Sequence, residues 1–210
     1  MTPAKRAFDL IVGVALLPFV LIALAILVPW LLATQGRPLL YVAERVWAPG
    51  LRTFGLVKLR SMSVGAEDGG VTGGGKAAAR ITPQGALLRR FRFDELPQAI
   101  HVFSGKMSFV GPRPPLPRYA EMFPALYDEV LVMRPGLTGL ATLLFHKREK
   151  ALLANCRTPE ETEAVYVARC IPAKARLDRW YARHRSASLD LWIIGRTLAA
   201  LAGRPARRRR

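Results

Sequence analysis

Two adjacent carboxylates, Asp94 and Glu95, lie next to a basic cluster formed by Arg89, Arg90 and Arg92. These arginines are expected to keep Asp94 ionised, because nearby positive charge favours the charged form of a carboxyl group. An ionised carboxylate can attack phosphorus as a nucleophile, and a neighbouring carboxylate can hold a divalent ion, usually Mg²⁺ at a diphosphate. Adjacent side chains on a helix point about 100° apart, so two distinct roles are expected. The alternative interpretation is a surface network of ion pairs.

A stiff turn follows about a dozen residues later. Pro112, Pro114 and Pro115 restrict the backbone around Arg113, because proline fixes its own φ and limits the residue before it. The turn should therefore hold the Arg113 guanidinium in a defined place. A planar, permanently charged guanidinium suits phosphate oxygens.

Composition points to an anionic partner. The 210 residues include 32 Lys and Arg against 15 Asp and Glu, which gives a net charge of +17, yet 51% of the residues are hydrophobic. A disordered basic tail protein is therefore excluded. A non-enzymatic, membrane-anchored basic scaffold or nucleic-acid binder remains the rival class. It is disfavoured because the aromatic residues interleaved with arginines surround a carboxylate pair, which would repel phosphates without a metal. No nucleic-acid partner is predicted.

The N-terminal stretch predicts membrane insertion of residues 1–38. From Leu10 to Gly36 it carries no charge, and a helix of that length reaches roughly 40 Å, more than the ~30 Å hydrocarbon core. Both flanks are basic and Pro18 and Pro29 can bend a helix, which favours a re-entrant helix that returns to the side it entered from. A single spanning pass is the alternative.

The middle of the chain begins with a predicted β-hairpin. Short β-prone runs at 39–46 and 53–59 flank a turn at Pro49 and Gly50. Lys58 and Arg60 should lie on one side of its end, where they could contact phosphate or remain solvated. The glycine-rich run from Gly69 to Gly75 is not a P-loop, because Ala77 replaces the required hydroxyl residue. It predicts a flexible connector or a mobile lid.

Residues 188–201 predict an interfacial helix, with Trp180, Tyr181 and Trp192 at the level of lipid headgroups and a basic end from Arg204 to Arg210. A packed core helix is the alternative. Cys156 and Cys170 are expected to be free thiols, and the three histidines to satisfy hydrogen bonds. The predicted fold is α+β and mainly helical, with an inserted helix (1–38), a globular domain (39–188) and an interfacial segment (189–210).

Four motifs carry a resemblance to a known family. They are Lys58-Leu-Arg-Ser-Met62, Asp94-Glu-Leu-Pro-Gln98, Met107-Ser-Phe-Val-Gly-Pro-Arg-Pro114 and Arg134-Pro-Gly-Leu-Thr-Gly139. In this order they resemble the bacterial sugar transferases, monotopic enzymes that move a phosphosugar from a nucleotide sugar onto polyprenyl phosphate. A weaker match is Leu177-Asp-Arg-Trp-Tyr181. After Gly139 the chain departs from the family's polar and aromatic segment, so the sugar is not carried over and a degenerate enzyme stays an alternative.

The resemblance implies a role for each matching residue. Asp94 would be the nucleophile, and Glu95 would assist Mg²⁺ binding, with Asp94, or proton transfer. Lys58, Arg60, Arg89, Arg113 and Asp178 would contact phosphate or substrate, and Pro112 and Pro114 would shape the turn. The partners implied are a UDP-sugar, polyprenyl phosphate and the lipids of the bacterial inner membrane, with the catalytic domain facing the cytoplasm.

Overall fold

The computed structural model describes residues 1–65 and 80–203. The predicted glycine-rich connector and the basic end from Arg204 to Arg210 lie outside these residues. The described part is mostly helical, with two small two-stranded sheets. The predicted mainly helical α+β class is confirmed.

The N-terminal helix α1 runs from Pro3 to Gln35 and is continuous through Pro18 and Pro29. The Thr2 side chain caps its first turn by accepting a hydrogen bond from the Lys5 amide, and the helix ends at Gly36, whose φ is 63°. The middle of α1 exposes large apolar side chains, including Phe19 at 70%. By length and composition, α1 is the one described helix that could cross a membrane.

Both ends of α1 contact the same globular body. At the N-terminal end, Arg6 donates a hydrogen bond of 2.6 Å to the Phe103 carbonyl, and Lys5 lies 2.7 Å from a carboxylate oxygen of Asp190. At the C-terminal end, Leu31 is fully buried, and Gln35 donates to the Arg60 carbonyl at 3.0 Å. The polar and apolar contacts at the two ends fix α1 to the body at both points.

The predicted hairpin is confirmed. Strand β1 (Leu40–Ala48) pairs antiparallel with β2 (Arg52–Leu59), and Tyr41 lies opposite Lys58. Gly50 and Leu51 turn the chain with positive φ values of 72° and 55°, which suits glycine at the first of these positions.

The segment that carries the carboxylates is broken into three short helices. Thr82 caps α2 (Pro83–Phe91), since its side chain accepts a hydrogen bond from the Gly85 amide at 2.9 Å. The helix ends at Arg92, which has a left-handed φ of 57°. A 3₁₀-helix (Phe93–Gln98) and α3 (Ala99–Phe103) follow. The α-helix that begins at Pro83 therefore ends before Pro97 is reached.

Close main-chain packing holds the proline-rich turn. Strand β3 (Ser108–Val110) pairs in parallel with β4 (Gly136–Thr138). The Gly136 amide donates to the Pro112 carbonyl at 2.8 Å, and the Gly111 amide donates to the Thr138 carbonyl at 2.9 Å. A Cβ atom on Gly139 would lie 2.1 Å from the Gly111 carbonyl oxygen, so the two segments can approach this closely only without a side chain there.

The rest of the described chain, from Pro117 onward, is mainly helical. Its helical elements are α4 (Pro117–Met122), α5 (Pro124–Val130), α6 (Leu140–Ala154), α7 (Pro159–Val165), a π-helical turn (Tyr166–Cys170), α8 (Ile171–His184) and α9 (Ala187–Leu201). Cys156 and Cys170 are buried free thiols, as predicted.

Helices α8 and α9 correct the expectation that Tyr181 lies at the level of the lipid headgroups. Tyr181 is buried, and its hydroxyl donates to Asp190 at 2.6 Å, so it does not lie at headgroup level. Ile193 is fully buried in the main core, which fits the alternative of a packed helix for this face of α9. Trp180 and Trp192 are 46% and 47% exposed and remain available to an interface.

Candidate active site

A cavity of about 860 Å³ opens between the hairpin, the carboxylate segment, the proline-rich turn and helices α2, α4, α5, α6, α8 and α9. It brings together most of the predicted site residues, namely Lys58, Arg89, Asp94, Glu95, Arg113, Pro114 and Asp178. Pro112, in the same turn as Arg113, is fully buried and does not line the cavity. Motifs separated by up to 120 positions in the chain thus meet at one cavity.

Glu95 is held between two arginines. One oxygen, Oε1, accepts a hydrogen bond of 2.9 Å from Arg113, and the other, Oε2, accepts from Arg92, whose Nε lies 3.2 Å away. Burial alone would raise the pKa of Glu95, but Arg113, Arg92 and Lys58 together lower it below its usual range. Glu95 is therefore ionised, and it fixes the direction of both guanidinium groups.

Asp94 lies in a different environment although it is the next residue. It is 7% exposed, and no other described residue forms a hydrogen bond or an ion pair with its carboxylate. Burial and the negative charge of Glu95 raise its pKa, and Lys58, Arg89 and Arg113 offset this only in part. Arg89 acts in the expected direction, but burial outweighs it, so the net shift of the Asp94 pKa is upward. The two adjacent carboxylates thus lie in different environments.

Three cations surround the Asp94 carboxylate. Arg113 is directed by Glu95, and Arg89 is fixed by its hydrogen bond of 2.8 Å to the Ser61 hydroxyl. Burial, followed by the charge of Arg113, lowers the pKa of Lys58 to about 8. Lys58 is therefore still mostly charged at neutral pH. An unpaired carboxylate among fixed cations can act on a phosphorus atom while its oxygens are bound.

Arg60 is not brought to the cavity. Strand β2 ends at Leu59, so the two-residue period that would have placed Arg60 beside Lys58 does not extend to it. Its guanidinium instead donates to the carbonyls of Gln35 and Gly36 at 2.6 and 3.0 Å. These carbonyls lie at the C-terminal end of α1, where a cation satisfies free acceptors.

Asp178 lies in another part of the cavity. It is 7% exposed, and burial raises its pKa to about 7, with Lys174 opposing the shift. Lys174, four residues earlier on α8, pairs with Glu149 of α6 at 2.6 Å. His146, on the same helix as Glu149, also lines the cavity. The segment that departs from the family pattern therefore forms part of this wall.

Sequence reasoning missed several cavity residues. Arg45, Lys174 and His146 belong to none of the four motifs, and Arg45 comes from β1 on the far side of the hairpin. The hairpin alternation could have revealed Arg45, since residues 41, 43 and 45 share one face of the strand. For Lys174 and His146, the chain offers no spacing that predicts their meeting.

The described residues contain no cluster of three or more acidic, histidine or cysteine side chains that could hold a metal ion. Mg²⁺ needs only one or two carboxylates when substrate phosphates and water complete its shell. The Asp94 carboxylate fits that requirement as an available oxygen donor. Glu95 could contribute only after exchanging Arg92 or Arg113 for the ion.

The fold and the cavity define a class of site: a cation-rich pocket around a carboxylate that pairs with no other described residue, on a body carrying a long apolar helix. Comparison with known proteins agrees. The family described as bacterial sugar transferase matches residues 1–204. The chain belongs to this family.

Three relatives show what the chain is similar to. A putative undecaprenyl-phosphate N-acetylgalactosaminyl 1-phosphate transferase of Bacillus subtilis is 44% identical over 113 residues, 50% of this chain and 62% of that protein. The exopolysaccharide production protein PSS of Rhizobium leguminosarum is 34% identical over 215 residues, 93% of this chain and 94% of that protein. A UDP-glucose:undecaprenyl-phosphate glucose-1-phosphate transferase of Klebsiella pneumoniae is 30% identical over 78% of this chain, but over only 36% of its own length. For the Bacillus subtilis and Klebsiella pneumoniae relatives, the match thus covers less than two thirds of the relative's own length.

Asp178 makes stability depend on pH. Its native pKa of about 7 lies above the unfolded value of about 4, so the native state loses stability as the pH rises from about 4 to about 7, because the unfolded chain releases a proton that the native state still holds. Asp178→Asn removes the titrating carboxyl group. Its advantage in Tm over the wild type should grow by about 5 °C between pH 5.5 and pH 8.5. Thermal unfolding in detergent measures this. Glu121→Gln, on an exposed helix position, should show no such growth, and an offset for Asp178→Asn that is constant with pH would contradict the shifted pKa.

Proposed function

We propose that the protein transfers a phosphosugar from a UDP-sugar to a polyprenyl phosphate such as undecaprenyl phosphate, and so initiates the assembly of a surface polysaccharide or glycoconjugate. The names of the relatives support the substrates. One structural observation carries the proposal: the Asp94 carboxylate pairs with no other described residue, and it faces a cavity in which Arg113 and Arg89 are held by hydrogen bonds to Glu95 and Ser61.

In the first step, an Asp94 carboxylate oxygen attacks the phosphorus that bears the sugar. A new bond joins this oxygen to phosphorus, and the bond from phosphorus to the bridging oxygen of the diphosphate breaks. The bridging oxygen takes the electron pair and leaves with the nucleoside monophosphate. The phosphosugar remains on Asp94 as an acyl phosphate, as in aspartyl-phosphate enzymes.

Fixed charge provides much of the catalysis. The positions of Arg113 and Arg89 are set by Glu95 and Ser61 before any substrate binds. Such cations stabilise the charge that develops on the phosphoryl oxygens without reorganising during the reaction. The raised pKa of Asp94 also makes its carboxylate a more basic nucleophile. Bound cationic or metal charge would keep it ionised.

In the second step, a phosphate oxygen of the polyprenyl phosphate attacks the same phosphorus atom. The Asp94 carboxylate leaves, and a polyprenyl diphosphosugar forms. The acceptor's lipid chain requires a membrane close to the cavity mouth.

Mg²⁺ would be held by Asp94 together with the diphosphate of the donor, with Glu95 as a second ligand if it releases an arginine. A bound Mg²⁺ neutralises phosphate charge and polarises the bond that breaks. The protein's own part is to supply the carboxylates and to direct the cations around them.

We also propose that α1 enters the membrane and returns to the side of the globular body. The support is that Arg6 and Gln35, near the two ends of α1, both contact that body, while the exposed middle around Phe19 is apolar. A straight spanning helix would place the two ends on opposite faces of the bilayer. The body would face the cytoplasm, where nucleotide sugars are found.

Turnover tests the proposed activity. With a UDP-sugar, a polyprenyl phosphate and Mg²⁺, the detergent-solubilised protein should release UMP and form a lipid-linked sugar. Asp94→Asn should reduce UMP release at least about 1,000-fold, since loss of a nucleophile removes the covalent route. Chelation should abolish activity reversibly. Retention of the wild-type rate in Asp94→Asn would contradict the role of Asp94. Binding that weakens steeply with salt, with no turnover of any donor, would favour the non-enzymatic basic scaffold.

Labelling tests the topology. Ala4→Cys marks the N-terminal end of α1, and Glu44→Cys marks the exposed face of β1. In intact cells, a membrane-impermeant maleimide should label neither cysteine, and in inverted inner-membrane vesicles it should label both. The wild type, whose two cysteines are buried, is the control. Labelling of the two variants from opposite sides would show a spanning helix.

A further inference from the structure

Arg45 is a cavity residue without an assigned role. It lies on β1 four residues after Tyr41, so the two share a strand face, and Tyr41 pairs across the hairpin with Lys58. All three residues line the cavity. The hairpin is thus one wall of the site and directs a second cation into it beside Lys58.

No other described residue forms a hydrogen bond or an ion pair with the Arg45 guanidinium. Burial, followed by the positive charge of Arg113, lowers the pKa of Arg45 to about 10. A desolvated cation next to a like charge is unfavourable unless an anion joins it. In contrast, Arg118, another cavity arginine, already pairs with Glu163 at 3.0 Å. Arg45 therefore has the arrangement expected of a group that binds an anionic ligand.

The position of Arg45 relative to Asp94 indicates which anion. The charges acting on the Asp94 carboxyl come from Glu95, Lys58, Arg89 and Arg113. Arg45 pairs with Phe54, four positions along the hairpin from the Tyr41–Lys58 pair and so about 13 Å nearer the hairpin turn. The amide of the next residue, Val46, donates to the Pro115 carbonyl at 3.0 Å, just before α4, where the Tyr119 ring lies 5.1 Å from the Tyr166 ring. Arg45 thus lies beyond Lys58 along the hairpin, on the side of these two aromatic side chains.

We propose that Arg45 binds the phosphate of the leaving nucleoside monophosphate, with the nucleoside directed toward Tyr166. The proposal rests on the function proposed above. In the first step the negative charge develops on the bridging oxygen and then resides on the nucleotide phosphate, one phosphorus atom away from the one that Asp94 attacks. A guanidinium can bind two oxygens of such a phosphate side by side. Lys58, Arg89 and Arg113 would serve the phosphorus atom that is attacked, and Arg45 the group that departs.

The role predicts a separation between the two half-reactions. The nucleotide takes part in loading of the phosphosugar onto the enzyme and in its reversal by UMP, but it has already left when the polyprenyl phosphate attacks. Arg45→Gln should therefore slow loading, and the reversal by UMP, about ten- to a hundredfold, as expected for the loss of a charged hydrogen bond. Transfer from pre-loaded enzyme to the acceptor should stay within about twofold of wild type. A merely structural role would impair both half-reactions.

The measurement is rapid-quench kinetics of the separate half-reactions, with UMP affinity by equilibrium dialysis as a readout that needs no turnover. The matched control is Arg52→Gln, which removes an exposed arginine from the same hairpin and should change neither half-reaction. UMP affinity should also fall at least tenfold in Arg45→Gln, while Arg45→Lys should recover part of the loss. Wild-type UMP affinity and loading in Arg45→Gln would overturn the inference alone, as would equal losses in both half-reactions. Failure of the wild type to bind UMP or to load would overturn the proposed function as well.

Discussion

The pairing of Glu95 with two arginines is the interaction on which the site depends. Each carboxylate oxygen accepts from a different guanidinium, so Glu95 is ionised and both Arg92 and Arg113 are fixed in direction. This also makes the two adjacent carboxylates unequal, because Glu95 takes the arginines and Asp94 keeps an unpaired group in the cavity. Positive charge is therefore in place before substrate arrives, which is the condition for electrostatic catalysis at a phosphate.

Main-chain geometry makes that pairing possible. Arg113 lies in a turn whose neighbours bond to the β4 segment, with Gly111 and Gly139 packed so closely that a side chain on Gly139 would collide with the Gly111 carbonyl. Arg92 adopts a left-handed conformation at the end of α2, which lets the chain change direction before the carboxylates. Two strained or crowded backbone positions thus hold two charged side chains against one acid.

Local patterns in the sequence predicted the hairpin and the stiff turn, because each depends on the conformational limits of nearby residues. They also placed Lys58, Arg89, Asp94, Glu95, Arg113 and Asp178 in one site, through motif resemblance rather than geometry. The sequence did not predict the tertiary contacts. Arg60 binds the end of α1, Tyr181 is buried against Asp190, and burial rather than the arginines determines the Asp94 pKa. Each outcome depends on a partner distant in the chain.

The central claim is that Asp94 carries the phosphosugar. The most direct test is intact-protein mass spectrometry of the detergent-solubilised protein after mixing with Mg²⁺ and a panel of UDP-sugars without acceptor, followed by fragmentation to locate any adduct. The account predicts an added phosphosugar mass on Asp94, its loss when polyprenyl phosphate is added, and no adduct in Asp94→Asn. The mass would also identify the sugar. Turnover with no adduct on a millisecond quench, or an adduct on any other residue, would contradict it.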